Sequence, residues 1–272
     1  MKPTMLASDF DGTLCQKYSP ETYPATPEVL AAIREFREDG GLFGVATGRD
    51  WYWSWRELHE NGKLDFDFII SLNGAQIYDR AGALLYEATA DGKTEIGGQT
   101  LIRALADRCW ELVGDYFTVI VGKTRYNFSK NMPMGGEYDD DLYVPHTVLD
   151  EITTFHMAGT RASDMATALS ATDALLDEFG AYLNVLHTGG RSLDIPPAGI
   201  DKGVAVSRLA ERLGVAQENI WTAGDSGNDL AMLAPFHGCA MTDGAQEAKD
   251  AAEFVCRDLT EVIARIKASK SC

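Results

Sequence analysis

Short apolar runs alternate with amphipathic stretches along the first 72 residues of the chain, and again after about residue 190. The runs at residues 43–46, 68–70 and 220–223 are apolar over nearly their whole length. Strands of parallel sheets have this composition because both of their faces are buried. The alternation predicts an α/β fold with a doubly wound parallel sheet, in which ligands bind beyond the carboxyl ends of the strands.

Two amphipathic stretches predict helices, one beginning with the N-cap and N1 pair Thr26-Pro27 and one beginning near Lys202. Their apolar positions recur at helical spacing: Val29, Ile33 and Phe36 in the first, and Val206, Leu209, Ala210 and Leu213 in the second. Glycine ends both stretches, as Gly40-Gly41 and as Gly214.

The sequence pattern changes between about residues 89 and 188. Gly, Met and aromatic residues are interspersed there with weaker strand patterns such as that at 117–121. A hairpin at 77–86 precedes this segment, and helices are predicted at 100–113 and 162–179 within it. We read the acidic run at 137–141 as a solvated loop rather than a second metal site. The predicted organisation is a first core segment at 1–88, an α/β insert at 89–188 and a second core segment at 189–272.

The candidate chemistry begins with Asp9-Phe10-Asp11-Gly12-Thr13, at the end of the first apolar run. Residues two apart on a strand point to the same face, so both carboxylates are expected to converge on one ligand. A hard divalent cation is the simplest ligand that relieves the repulsion between such close charges. The alternative is an Asp-Gly turn that only closes the strand.

Three further segments favour the chemical interpretation. Thr47-Gly48-Arg49 follows a second strand, where a hydroxyl and a flexible backbone suit the oxygens of an anion. Lys202 lies in the first turn of a helix, where the macrodipole disfavours a cation, and this position suggests an anionic partner. Gly224-Asp225-Ser226-Gly227-Asn228-Asp229 brings two more carboxylates to a third strand end.

Taken in order, these four segments resemble the motifs of the haloacid dehalogenase superfamily of phosphohydrolases, and Asp11 is the mark of its phosphatase branch. The long stretch between Thr47 and Lys202 and the run at 192–203 resemble the Cof-type subfamily, whose members carry a large α/β cap of the C2 type. The resemblance covers nearly the whole chain. It implies a Rossmann-like core with the insert as its cap, and we expect the insert to supply substrate selectivity but no phosphoryl-transfer group.

The resemblance also implies the roles of individual residues. Asp9 would attack phosphorus to form an aspartyl-phosphate, and Asp11 would protonate the leaving oxygen and then activate water. Mg²⁺ would be held by Asp9, the Asp11 backbone carbonyl and Asp225, with waters ordered by Asp229. The residues that would bind the phosphoryl group are Thr47, Gly48, Arg49, Lys202 and Asn228. A small sugar phosphate is the expected substrate.

Two rival functions stay open at this point. A sugar phosphomutase of the same superfamily would use the same aspartyl-phosphate but return the phosphoryl group to the sugar. A non-catalytic phospho-ligand sensor has no need of both Asp9 and Asp11, so their joint presence counts against it.

Composition and net charge limit the classes of partner that the protein is expected to bind. The 272 residues are 45% hydrophobic and carry a formal net charge of −17, which argues against nucleic acid or an anionic membrane as a partner. It does not exclude a phosphate ester, because distant surface charges are screened over about 8 Å at physiological ionic strength. The five cysteines show no paired spacing, and no secretory or membrane-spanning segment is visible. We therefore expect a reduced, cytoplasmic protein, with Cys15 as an idle thiol rather than a nucleophile.

Trp51, Trp53 and Trp55 directly follow the Thr47 segment. Alternate residues spread around a helix, so no single face holds all three, and packing is favoured over stacking on a sugar or base.

Overall fold

The structure, a computed structural model, describes residues 3–19, 23–60, 63–128 and 141–270. The strands are β1 Met5–Ser8, β2 Leu42–Ala46, β3 Phe68–Ser71, β4 Gln76–Asp79, β5 Leu84–Glu87, β6 Ala90–Asp91, β7 Glu95–Ile96, β8 Gln99–Thr100, β9 Phe117–Val121, β10 Thr124–Asn127, β11 Asp141–Tyr143, β12 Thr154–Phe155, β13 Met157–Arg161, β14 Leu186–His187, β15 Ser192–Ile195, β16 Ile220–Gly224, β17 His237–Met241 and β18 Phe254–Cys256. The α-helices are α1 Pro27–Glu38, α2 Trp51–Trp53, α3 Leu101–Val113, α4 Met165–Phe179, α5 Lys202–Leu213, α6 Leu230–Leu233, α7 Gln246–Ala251 and α8 Leu259–Ser269. A π-helical segment, Ser54–Glu60, continues α2.

The chain forms two compact units, one made of residues 1–86 and 201–272 and the other of residues 87–200. The first unit contains an eight-stranded sheet of order β18-β17-β16-β1-β2-β3-β4-β5. Its strands from β18 to β3 are parallel, and β4 runs antiparallel to β3. The expected parallel sheet is therefore present, with the predicted hairpin at one edge.

Helices cover both faces of this sheet. Leu6 of β1 belongs to a cluster with α1 and α8, whereas Met5 and Ala7 belong to a second cluster with α5. Successive side chains of a strand point to opposite faces, so a strand buried on both sides must be apolar throughout. The sheet is thus doubly wound, as the continuous apolar runs predicted.

The first two predicted helices form with the expected caps. Thr26 caps α1 through a bond from the Val29 N–H to its hydroxyl, and Gly214 ends α5 in the left-handed conformation. Leu213, the last of the apolar positions in the second stretch, is 39% exposed. It is the last residue of the helix, beyond the part that packs on the sheet.

The second unit has its own core, in which α3 and α4 pack on a six-stranded sheet of order β11-β10-β9-β13-β15-β14. The predicted helix at 162–179 begins later, at Met165, because Asp164 is its N-cap. The return to the first unit also comes later than the predicted residue 189, at Asp201. The reason is that β15 pairs antiparallel with β13 and therefore belongs to the insert's sheet.

The predicted acidic loop at 137–141 lies, apart from Asp141, outside the described residues. Of the described cysteines, Cys15, Cys109, Cys239 and Cys256 are all free and buried. Over the same part of the chain, no helix has both the length and the hydrophobicity needed to cross a membrane.

Candidate active site

The four segments singled out by the sequence meet at one edge of the first unit's sheet. β16, β1 and β2 are neighbours, so their carboxyl ends place Asp225, Asp9 and Thr47 side by side. The Asp9 N–H donates to the Ala223 carbonyl over 2.8 Å, and the Thr47 N–H donates to the Ile70 carbonyl over 2.9 Å. Backbone hydrogen bonds therefore fix the main-chain positions from which the Asp9 and Thr47 side chains extend.

Lys202 lies at the centre of the site and is completely buried. Its Nζ donates to Asp9 Oδ1 over 2.6 Å and to Asp229 Oδ1 over 2.7 Å. Burial by itself would lower the pKa of Lys202, but the charges of Asp229 and Asp9 outweigh burial and raise it. The anionic partner that the position of Lys202 suggested is thus, first of all, this pair of carboxylates.

Asp9, Asp225 and Asp229 form a carboxylate cluster whose ligand oxygens all lie within 4.8 Å of one another. Burial raises the pKa of Asp9 well above its usual value, although Lys202 opposes the shift. Burial, reinforced by the charge of Asp229, raises the pKa of Asp225 to about 6. Buried carboxylates this close together are stabilised in their ionised form by a divalent cation with oxygen ligands. The donor set therefore fits Mg²⁺.

Asp229 differs from the other two carboxylates because donors from the protein occupy both of its oxygens. Oδ1 accepts from Lys202, while Oδ2 accepts from the Asp225 N–H over 3.0 Å and from the Ser226 N–H over 3.1 Å. It closes a capping box with Ser226. Asp229 thereby holds the loop that carries Asp225, while the ordering of metal-bound waters by Asp229 stays a prediction.

Gly12 allows the loop after β1 to lie directly against Asp225. It has a φ of +86°, and a Cβ at this position would lie 2.4 Å from Asp225 Oδ2. Neighbouring Thr13 donates its hydroxyl to Asp225 Oδ1 over 3.1 Å. Gly12 is therefore needed both for its backbone conformation and for the space that it leaves to Asp225.

Asp11 does not share a ligand position with Asp9, contrary to the expectation from their spacing. Arg49 binds its carboxylate in a bidentate pair, with Nε 2.8 Å from Oδ2 and Nη2 2.7 Å from Oδ1. The Tyr18 hydroxyl also donates to Oδ1. Burial would raise the pKa of Asp11, but the bonds and charge of Arg49 lower it. β1 ends at Ser8, so the alternation of a strand does not extend to Asp11.

Thr47, Gly48 and Arg49 follow β2 as expected, but only Thr47 is buried. Thr47 Oγ1 accepts from the Arg49 N–H over 3.2 Å and keeps its own hydrogen to donate. The Arg49 guanidinium lies 3.8 Å from the centre of the Trp53 ring. Arg49, proposed as a phosphate-binding group, thus has Asp11 as its partner here.

The tryptophans pack as the helical spacing predicted. Trp53 packs edge-on against Phe10, while Trp51 and Trp55, one turn apart, stack on each other with their rings 5.7 Å apart.

Burial raises the pKa of Cys15 to about 11, which agrees with an idle thiol.

Two site residues were missed as such. Tyr18 contacts Asp11, and Asn73 accepts a hydrogen bond from Asn228 over 3.0 Å. A usable signal existed for Asn73: its Asn-Gly pair follows β3, whose neighbour β2 ends directly before Thr47. No comparable signal pointed to Tyr18.

The chain is similar to a family of known proteins over nearly its whole length. Residues 6–264 match the family model of haloacid dehalogenase-like hydrolases. A phosphoglycolate phosphatase from Pyrobaculum islandicum is 38% identical over 263 residues, covering 95% of this chain and 91% of the relative. A 5-amino-6-(5-phospho-D-ribitylamino)uracil phosphatase from Bacillus subtilis is 24% identical, over 92% of this chain and 88% of the relative.

The chain spans only 52% of another relative, from Streptococcus pyogenes, whose name joins a phosphatase with a peptidyl-prolyl cis-trans isomerase. Among solved structures, a haloacid dehalogenase-like hydrolase from B. subtilis superposes with a TM-score of 0.77 at 24% identity, covering 98% of this chain and 99% of that one. The whole fold, insert included, is therefore shared with that protein.

Proposed function

The chain belongs to the haloacid dehalogenase-like hydrolase family, and on that premise we propose that it is a magnesium-dependent phosphomonoester hydrolase working through an aspartyl-phosphate. The observation that carries the proposal is the buried Lys202, which holds Asp9 beside Asp225 and Asp229 at a strand end. A carboxylate held next to a fixed cation and a metal-binding cluster is equipped to attack an anionic phosphate ester, whose charge would otherwise repel it.

In the proposed reaction an Asp9 oxygen forms a bond to phosphorus while the bond from phosphorus to the ester oxygen breaks. Asp11 gives its proton to that leaving oxygen, then removes a proton from the water that hydrolyses the aspartyl-phosphate. Lys202, Thr47 and Asn228 supply donors for the phosphoryl oxygens. Asp9, the Asp11 backbone carbonyl and Asp225 would hold Mg²⁺, which would supply positive charge next to the phosphoryl group.

Asp11 can donate a proton only after it leaves Arg49, because the guanidinium stabilises the ionised carboxylate. The pair is accessible enough to open, since the exposed fractions of the two side chains are 31% for Arg49 and 46% for Asp11. Substrate binding would therefore include a rearrangement of Arg49, which is then free to contact the substrate.

The proposed substrate is a small phosphorylated metabolite, with a sugar phosphate as the first candidate. Two relatives carry names of phosphatases that act on small phosphate monoesters.

A panel of phosphorylated metabolites assayed for phosphate release, with Mg²⁺ and with EDTA, tests the proposal. We expect release with Mg²⁺ and none with EDTA. The matched control is Asp9→Asn, which is nearly isosteric but a poor nucleophile, and it should fold and release no phosphate. Phosphate release by folded Asp9→Asn near the wild-type rate would contradict the proposal. A requirement for a sugar bisphosphate, with transfer back to the sugar, would indicate a mutase instead.

A further inference from the structure

We propose that Asn73 is a positioning residue of the phosphoryl-binding site, which sets the orientation of the Asn228 carboxamide. This inference rests on the proposed function, because it assigns the Asn228 amide to a phosphoryl oxygen. The juxtaposition that carries it is a buried turn, Leu72–Gly74, lying against three of the four motif segments.

The contact between the two amides is direct. Asn228 Nδ2 donates to Asn73 Oδ1 over 3.0 Å, and Asn73 is completely buried while Asn228 keeps 8% of its surface exposed. In this arrangement Asn73 presents its carbonyl oxygen, which only accepts, and so holds the NH₂ edge of Asn228. Ser226 Oγ lies 2.8 Å from Asn228 Oδ1, but a hydroxyl both donates and accepts and does not discriminate between the two edges.

The selected orientation has a chemical consequence. An amide nitrogen carries two hydrogens, and the bond to Asn73 uses one of them. The other is then available as a fixed donor for an anion in the site. Without Asn73, the carboxamide could turn its oxygen towards the phosphoryl group, where two negative partners would repel.

The backbone conformation of the turn and its hydrogen bonds hold Asn73 in this position. Leu72 and Asn73 both have positive φ, at 52° and 51°, a conformation that is uncommon for residues other than glycine and that asparagine tolerates best. The Asn73 N–H donates to the Thr47 carbonyl over 3.0 Å, and the Leu72 N–H donates to the Arg49 carbonyl over 3.1 Å. Strained backbone held in this way clusters at functional sites.

Gly74 brings the turn into contact with the segment that carries Lys202. Its φ is +106°, and a Cβ there would lie 2.3 Å from the backbone oxygen of Asp201, the N-cap of the helix that begins at Lys202. The turn therefore touches the segments of Thr47, Asn228 and Lys202 at once. Asn73 is the member of the turn whose side chain bonds to Asn228.

The test uses Asn73→Gly, which keeps the left-handed backbone and removes the amide. Asn228→Ala and the double variant complete a mutant cycle. Ser71→Ala is the matched control, because its buried hydroxyl lies at the end of β3, directly before the turn, and has no hydrogen-bond partner in the described structure. Each full-length protein is assayed for kcat and KM, for binding of orthovanadate with Mg²⁺ by calorimetry, and for thermal unfolding.

We expect Asn73→Gly to lower kcat/KM and vanadate affinity by about tenfold, the worth of one oriented hydrogen bond to a charged group. Ser71→Ala should stay within about twofold of wild type, and the double variant should be no weaker than Asn228→Ala alone. Independent, multiplying effects in the cycle would overturn the proposal. So would wild-type vanadate affinity in Asn73→Gly, or loss of its cooperative unfolding, which would make Asn73 a framework residue.

The vanadate arm separates this inference from the proposed function. A wild-type protein that binds orthovanadate but releases no phosphate from any ester would contradict the proposed function. The loss of binding in Asn73→Gly would still stand as evidence for the positioning role.

Discussion

At the scale of single residues, Lys202 determines the charge balance of the site. It is fully buried between Asp9 and Asp229 and pairs with both carboxylates. Breaking a buried ion pair leaves carboxylates desolvated and uncompensated, which is far more costly than losing an exposed pair.

We therefore predict that Lys202→Met lowers kcat by about a hundredfold or more, through loss of one preorganised donor. The free energy of unfolding at neutral pH should fall by about 3 kcal/mol. Lys267→Met is the matched control, because Lys267 makes exposed ion pairs with Glu35 and Asp39. Urea denaturation should show a loss below about 1 kcal/mol for that control. Equal losses in the two variants would contradict the role assigned to Lys202 in the charge balance of the site.

Asp225 gives a prediction about pH. Its pKa is raised from 3.8 to about 6, so between these values the folded state binds the proton more tightly than the unfolded state. Ionised Asp225 therefore lowers the stability of the metal-free protein above about pH 6, and this penalty disappears as the pH falls through that range.

We expect Asp225→Asn to raise the thermal midpoint of the EDTA-treated protein near neutral pH, and to raise it less near the acid end of that window. Mg²⁺ should raise the midpoint of wild type more than that of the variant. Scanning calorimetry at several pH values measures both effects. A gain that did not vary with pH would show that Asp225 is not the titrating group.

At the scale of elements, two glycines with positive φ have different surroundings: one lies in a turn at the site, and the other only ends a helix. Gly12, with φ +86°, lies against Asp225. Gly214, with φ +67°, ends α5, and a Cβ added there would meet no atom of the described residues within 4 Å. Only the first glycine has both a conformational and a steric requirement.

Gly12→Ala should therefore abolish most of the activity by displacing the Asp225 carboxylate. Gly214→Ala should cost about 1 kcal/mol of stability and leave kcat unchanged, since only the left-handed backbone is penalised. Steady-state kinetics and chemical denaturation on the pair provide the comparison. Full activity in Gly12→Ala would mean that the close approach to Asp225 is not needed.

At the scale of the whole molecule, every residue placed at the site lies in the unit made of residues 1–86 and 201–272. The unit at 87–200 has a separate core and contributes none of these residues. We hypothesise that it supplies substrate selectivity, because groups that contact the leaving alcohol must come from outside the phosphoryl-transfer machinery.

Replacing residues 87–200 with a short Gly-Ser linker tests this division. We expect a folded core, by circular dichroism, that still hydrolyses p-nitrophenyl phosphate but no longer ranks natural substrates, a loss of about 1–3 kcal/mol in discrimination. The intact chain assayed beside it is the control. A folded core with its full ranking would place selectivity in the first unit.

The sequence by itself determined β1, β2, β3 and β16 of the main sheet, its edge hairpin, the caps of α1 and α5 and the four motif segments of the site. These features depend on local chemistry: apolar runs, N-cap hydroxyls and terminal glycines act within a few residues. Parallel pairing then brings the strand ends together, so the meeting of Asp9, Thr47 and Asp225 could be anticipated.

Only the tertiary structure decided which side chains pair. Asp11 lies with Arg49 and Tyr18 instead of beside Asp9, Asn73 bonds to Asn228 from 155 positions away, and β15 joins the insert's sheet. Such contacts depend on the geometry of distant segments and on the competition of several charged partners for one carboxylate. No periodicity or local spacing in the chain encodes that competition, because its outcome is set by burial and by distances that exist only after folding.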